Sequence, residues 1–217
     1  MLRTKALVTL VTLAASACAL YQPPNVAATS EHVLVQQFKC AEGAPVLQEG
    51  AWRPRMVTGT LTQVDGAILT SNHVISSCND KPEAVVFPEI DLAILEPTKL
   101  TSCRAPRIGE AVQFSGYPAT NLNGKTRRSP IYLEKHQGVV TRLEDEMLVL
   151  TSLGTVKTVQ DQWRVSASYL RGGYSGGPVT SLETGEFLGI INTGSIPNQT
   201  GSFTSARTIC EKMEEVL

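Results

Sequence analysis

The chain offers little to a nucleic acid, a metal or a cofactor. It has no glycine-rich phosphate cradle, no internal repeat and no long run of like charge, and the Lys125-Thr126-Arg127-Arg128 cluster is too small to argue for nucleic acid. No Cys/His spacing suits zinc, so neither a metal nor a cofactor is expected. Histidine is scarce: His32, His73 and His136 are all there is, and none follows Ser175. Charge is nearly balanced at −1, and no polybasic stretch reads as a membrane-binding signal.

What is present points to strands. Seventeen glycines and twelve prolines punctuate short apolar runs such as Val33-Leu-Val35, Ala111-Val-Gln-Phe114, Gly138-Val-Val-Thr141, Met147-Leu-Val-Leu150 and Phe187-Leu-Gly-Ile190, the pattern of an all-β chain. A length of 217 residues with 42% hydrophobic content can bury one sizeable core or two small ones. The exception is Ser205 to Leu217, where Ile209, Met213 and Val216 recur at i, i+4, i+7 behind a serine suited to capping. A terminal amphipathic helix, packed on the second half of the chain, is expected there.

The segment Arg171-Gly172-Gly173-Tyr174-Ser175-Gly176-Gly177-Pro178 sets one hydroxyl in a backbone almost stripped of side chains. A serine attacking a carbonyl needs N–H groups aimed at the oxygen that becomes negative, and glycine permits the close approach. Gly173 and Ser175 would supply those donors. Gly173-x-Ser175-x-Gly177 also fits a nucleophile elbow, but there the histidine follows the serine. The order His, Asp, Ser remains open. His73 closes the run Gly59 to His73, which reads as strand, Asp65-Gly66 turn and strand, and so is placed at a strand end. Of the four aspartates between His73 and Ser175 (Asp80, Asp91, Asp145 and Asp161), Asp91 is preferred because Leu92-Ala-Ile-Leu95 follows it as an apolar strand. Each residue alone has a plain structural explanation, and His32 and His136 are left with theirs.

Together "ILTSNHV" ending at Val74, "DLAIL" from Asp91 and "GGYSGGPV" ending at Val179 resemble the three triad blocks of trypsin-like serine proteases, most closely the bacterial HtrA/Deg type, over roughly Val57 to Gly194. The resemblance implies two six-stranded antiparallel β-barrels with a short C-terminal helix: barrel one over about 31–118, barrel two over about 130–204 and the helix over about 205–217. It also implies a catalytic His73, Asp91 and Ser175, an oxyanion hole at Gly173 and Ser175, and hydrolysis of a protein or peptide substrate; the oligomeric behaviour of larger relatives is not carried over, and a monomer is expected. A specificity pocket is expected at Tyr169, Ile191 and Asn192. No formal charge stands there, so small or medium uncharged residues should be preferred. Two positions depart from the family. Tyr174 stands where an Asp or Asn is usual, which excludes activation by a released amino terminus and leaves the direction of the Gly173 amide open. Only seventeen residues separate His73 from Asp91, implying a trimmed hairpin with Ala84 to Phe87 as its remaining strand.

The amino terminus reads as an export signal: Arg3 and Lys5, an apolar run from Ala6 to Ala15, then small residues before Cys18. Residues 1–17 are expected to be removed, with Cys18 as a lipidation site, the only membrane attachment foreseen, or else a plain secreted protein of the cell envelope. Residues 18–30 are expected to be a tether. Setting Cys18 aside leaves Cys40, Cys78, Cys103 and Cys210, enough for two disulfides with three connectivities. The resemblance favours Cys40 with Cys78, a bridge that would brace the segment around His73.

Overall fold

The computed structural model describes residues 26–30, 32–48, 51–118, 121–122, 125–126, 132–150, 156–195 and 198–217. The export signal, Cys18, Arg127 and Arg128 lie outside them. The strands are β1 (Val26–Ser30), β2 (Val33–Gln48), β3 (Ala51–Val64), β4 (Ala67–Ser71), β5 (Val85–Phe87), β6 (Leu92–Glu96), β7 (Ala111–Gly116), β8 (Asn121–Leu122), β9 (Lys125–Thr126), β10 (Glu134–Leu150), β11 (Val156–Ala167), β12 (Pro178–Ser181), β13 (Phe187–Ser195) and β14 (Thr200–Ser205). A short helix α1 (Asn72–Ser76) follows β4, and α2 (Ala206–Val216) ends the chain.

Two antiparallel sheets result. The first pairs in the order β1-β2-β3-β4-β6-β5, and the second closes into a barrel, β10-β11-β14-β13-β12-β7. Local chemistry sets the first sheet's register: Asp65 and Gly66 both adopt positive φ (52° and 87°), the two-residue turn whose twist suits a hairpin, and Val64 pairs with Ala67 across it. The trimmed hairpin leaves β5, which pairs with β6.

The sequence-based boundaries need two corrections. Residues 26–30 are not part of a tether; they form β1, which satisfies its backbone along β2 with Val26 opposite Gln36. The first half does not extend to 118, because β7 pairs with β10 and β12 and belongs to the barrel. The Asn121 to Ser129 loop also contains a small ribbon, β8 with β9.

Each half has its own packing. Val112, Phe114, Val140, Val165, Leu188, Ile191 and Phe203 fill the barrel. A second cluster joins Val33, Leu69, Leu92 and Ile94 of the first sheet to Phe187 and Ile190 of the barrel and to Ile209, Cys210 and Met213 of α2. The terminal helix forms as its sequence implies, with the Ser205 hydroxyl accepting from the Thr208 N–H at 3.2 Å. It does not pack on the barrel alone. Its apolar face packs on β13 and β14 and shares one apolar cluster with the first sheet, where burying each such side chain contributes about 1.5–3 kcal/mol, while Lys212 reaches Glu89 and the Phe87 ring. Two disulfides, Cys40–Cys78 and Cys103–Cys210, tie α1 to β2 and α2 to the connection between the sheets.

Candidate active site

His73 lies two residues beyond the strand end expected for it, inside α1, because β4 stops at Ser71 and the chain turns at once into that helix. Its side chain is 43% exposed. Asp91 is buried at the end of a 3-10 turn (Pro88–Ile90), in the left-handed region at φ 57°. One carboxylate oxygen accepts from the His73 backbone N–H at 3.0 Å, and the other meets His73 Nδ1 at 2.7 Å. A carboxylate can only accept, so the imidazole proton sits on Nδ1 and the Nε2 lone pair is left outward. The Asn72 N–H donates to the Asp91 carbonyl at 2.9 Å, locking α1 to the 3-10 turn.

The barrel holds this acid in place. The Ile90 carbonyl accepts from Thr204 Oγ1 at 2.7 Å, Asn192 Nδ2 at 3.2 Å and Gln162 Nε2 at 3.4 Å. Lys157 of β11 brings its ammonium to 3.5 Å from Asp91 Oδ1, a neighbour that no sequence signal disclosed.

Ser175 stands across the junction between the halves. Thr60 of β3 donates its backbone N–H to the Ser175 carbonyl at 2.8 Å and its hydroxyl to the Gly173 carbonyl at 2.7 Å, and Thr62 Oγ1 donates to the Gly176 carbonyl at 2.7 Å. Gly176 has φ 83°, and a Cβ there would stand 2.1 Å from the Thr60 carbonyl, so only glycine lets the turn sit this close to β3. Gly59 carries the same junction to the histidine: a Cβ on it would meet Val74 at 2.5 Å and the Ser175 carbonyl at 3.3 Å. The Ser175 hydroxyl itself donates to the Asn192 carbonyl at 3.3 Å. Among the described residues, the N–H groups of Gly173 and Ser175 donate to no acceptor, whereas the carbonyls of residues 173 to 176 are all engaged. Gly173 has φ 97° in a turn closed by Tyr174 N–H to the Arg171 carbonyl at 3.3 Å.

The residues expected to line a pocket behave differently from one another. Tyr169 is 61% exposed, against His136 at a ring separation of 5.5 Å. Ile191 packs inside the barrel. The Asn192 amide is buried, donates to Gln162 Oε1 at 2.8 Å and Thr204 Oγ1 at 2.7 Å, and accepts from Ser71 Oγ at 3.1 Å; a buried amide must be satisfied internally, so Asn192 reaches the Ser175 side with its carbonyl instead. His136, given no role from sequence, stands 5.8 Å from the Tyr174 ring and 3.3 Å from Glu134. Tyr174 is 1% exposed and donates its phenol to Glu134 Oε2 at 2.9 Å. Burial, and then the Glu134 hydrogen bond, push its phenol well above the ordinary range. Burial alone would raise the Glu134 carboxyl, but hydrogen bonds from Tyr174 and His136 and the charge of Arg171 outweigh it and hold the acid below its usual range.

A six-stranded antiparallel sheet beside a closed antiparallel barrel, with a short helix and a polar site where they meet, matches the two-domain β fold of the chymotrypsin-like proteases. Among solved structures, the Rv3671c protease of M. tuberculosis in its active form is similar to this chain with a TM-score of 0.57 and 20% identity, over 85% of this chain and 80% of that one. The inactive form of the same protease gives a TM-score of 0.50 and 20% identity, over 74% of this chain and 84% of that one. No family model and no curated protein sequence matches the chain.

Proposed function

We propose that the protein is a serine endopeptidase in which His73, Asp91 and Ser175 act as a triad. The observation that carries this reading is the 2.7 Å contact from His73 Nδ1 to Asp91, together with a Ser175 turn that, among the described residues, keeps two backbone N–H groups without acceptors. On substrate binding the Ser175 hydroxyl turns from the Asn192 carbonyl to His73 Nε2. As Oγ bonds to the scissile carbonyl carbon, its proton passes to Nε2, and the carbonyl oxygen takes up negative charge facing the Gly173 and Ser175 amides. Asp91 stabilises the imidazolium without taking the proton. Collapse breaks the C–N bond, His73 returns the proton to the leaving amine, and an acyl-enzyme remains on Ser175. Water then gives its proton to His73 while its oxygen attacks the acyl carbon, releasing the acid and restoring the serine.

The same reading covers a monomer of the HtrA/Deg type that cleaves after small or medium uncharged residues. Thr193, whose hydroxyl is bonded to Ser202 at 2.7 Å, and the apolar Ile191 near it on β13 support that preference. Two disulfides support an oxidising compartment, consistent with export and with a lipid anchor at Cys18. The test is labelling of the purified protein by a fluorophosphonate probe. Labelling that disappears in Ser175→Ala is expected, and folded wild-type protein that takes up no probe refutes the proposal.

One observation favours a second reading, a noncatalytic barrel that binds other proteins. Among the described residues the Ser175 hydroxyl is bonded to the Asn192 carbonyl and not to His73. Catalytic hydrogen bonds are often loose before substrate arrives, which keeps the hydrolytic reading in front.

A further inference from the structure

The turn that carries Ser175 has an anchor on barrel strand β10 that neither the motif nor the triad accounts for. Arg171 and Tyr174, the first and last residues of the hydrogen-bonded turn, send their side chains to one carboxylate. Tyr174 donates to Glu134 Oε2 at 2.9 Å, and Arg171 Nη2 lies 3.1 Å from Oε1 and 3.3 Å from Oε2. His136 Nε2 completes the set at 3.3 Å from Oε2.

The seat for the tyrosine is built into the sheet. Glu134 on β10 pairs directly with Gly116 on β7. A Cβ on Gly116 would stand 2.8 Å from Tyr174 Cδ1 and 3.0 Å from its Cα, so the ring lies over Gly116, where a side chain would block it, on the face from which the paired Glu134 projects. A phenol buried to this degree needs an acceptor, and Glu134 is the one it reaches.

The backbone of the turn is held at the same time. The Tyr174 carbonyl accepts from the Gly177 N–H at 2.8 Å, the Gly176 N–H donates to the Ile191 carbonyl at 2.7 Å, and Thr60 takes the Gly173 and Ser175 carbonyls. With every carbonyl from 173 to 176 facing a donor, the Gly173 and Ser175 amides are left for an incoming oxygen. Resting on the serine-hydrolase reading, we infer that Glu134 is a positioning residue which, through the Tyr174 phenol and the Arg171 guanidinium, holds the Ser175 turn with those amides free. The anchor lies within the barrel wall, so the turn is set by folding and waits for no cleaved terminus.

The experiment compares Tyr174→Phe, Glu134→Ala and Glu134→Gln in the full chain, reading the rate and the end-point of fluorophosphonate labelling and the exchange of the Gly176 and Gly177 amides by mass spectrometry. A hydrogen bond to a charged acceptor is worth roughly ten- to hundred-fold in the population it holds. Tyr174→Phe should therefore slow labelling by about that factor at an unchanged end-point, and speed exchange of the two amides similarly. Glu134→Gln, whose amide oxygen still accepts from the phenol, should recover part of both. Wild-type labelling rate and wild-type exchange in Tyr174→Phe overturn the inference, as does a loss confined to the end-point, which would mark a folding role alone. Tyr174→Phe keeps the ring and carries the test should Glu134→Ala fail to fold. Wild-type protein that never labels sinks the hydrolase reading, whereas unchanged amide exchange sinks the anchor, so the two failures are distinct.

Discussion

Thr60→Val tests the junction on which the candidate site depends. Thr60 is fully buried, and its hydroxyl does two jobs: it donates to the Gly173 carbonyl at 2.7 Å and offers an acceptor to the Tyr117 N–H at 3.2 Å. Valine fills the same volume and keeps the backbone bond from residue 60 to the Ser175 carbonyl, but it puts a methyl against the Gly173 carbonyl. Leaving a buried acceptor unsatisfied costs about 1–3 kcal/mol. For a chain of this size that corresponds to a fall in Tm of roughly 3–10 °C. Urea unfolding under oxidising conditions measures the free energy, and Thr60→Ser, which retains the hydroxyl, should recover all but about 1 kcal/mol. Because the lost partner belongs to Gly173, proposed above as an oxyanion donor, the rate of fluorophosphonate labelling should fall as well. A Thr60→Val protein within about 0.5 kcal/mol of wild type, the ordinary range of a neutral surface change, would refute the argument.

Asp91→Asn should lower the labelling rate by about 10⁴, since an amide facing Nδ1 favours the tautomer whose Nε2 carries the proton; a rate within about threefold of wild type would show that Asp91 does not govern His73. Replacing both Cys103 and Cys210 by serine opens a loop of 107 residues and should cost about 5 kcal/mol on the chain-entropy account, read as a lowered urea midpoint, whereas an unchanged midpoint would count against it. Glu134 has its carboxyl held below the usual range in the folded state, so the stability it adds is present above the unfolded value near 4.5 and is lost as pH falls through the lower folded value. The Tm difference between wild type and Glu134→Gln should accordingly be constant from pH 5 to 7 and close in stronger acid; a difference that instead grows on acidification would contradict this assignment.

Features encoded by neighbouring residues were legible before any coordinates. The Asp65-Gly66 turn, the strand runs and the Ser205 cap each rest on local spacing, which steric and hydrogen-bonding rules translate directly. The Cys40–Cys78 pairing implied by the family resemblance forms as well. What stayed hidden depends on partners distant in the chain. Ala111 to Gly116 reads as a strand in either half, and only its pairing with Glu134 to Val139 and with β12 assigns it to the barrel. Thr60, Gln162 and Glu134 are single polar residues in strands, and no spacing announces that they meet Gly173, Ile90 and Tyr174. Asn192, expected near a pocket from the family resemblance, has amide partners in Gln162 and Thr204 that its sequence surroundings do not disclose.

The helix at the end of the chain has a consequence for how the protein reaches its native state. Val33, Leu69, Leu92 and Ile94, all early in the polypeptide, find their cover in Phe187, Ile190, Ile209 and Met213. Closing this cluster therefore waits on residues far along the chain from those they pack with, and the Cys103–Cys210 crosslink can form only once α2 is present. Removing α2 would thus be felt far from it in sequence, as exposed apolar surface on the first sheet and a tendency of that sheet to aggregate.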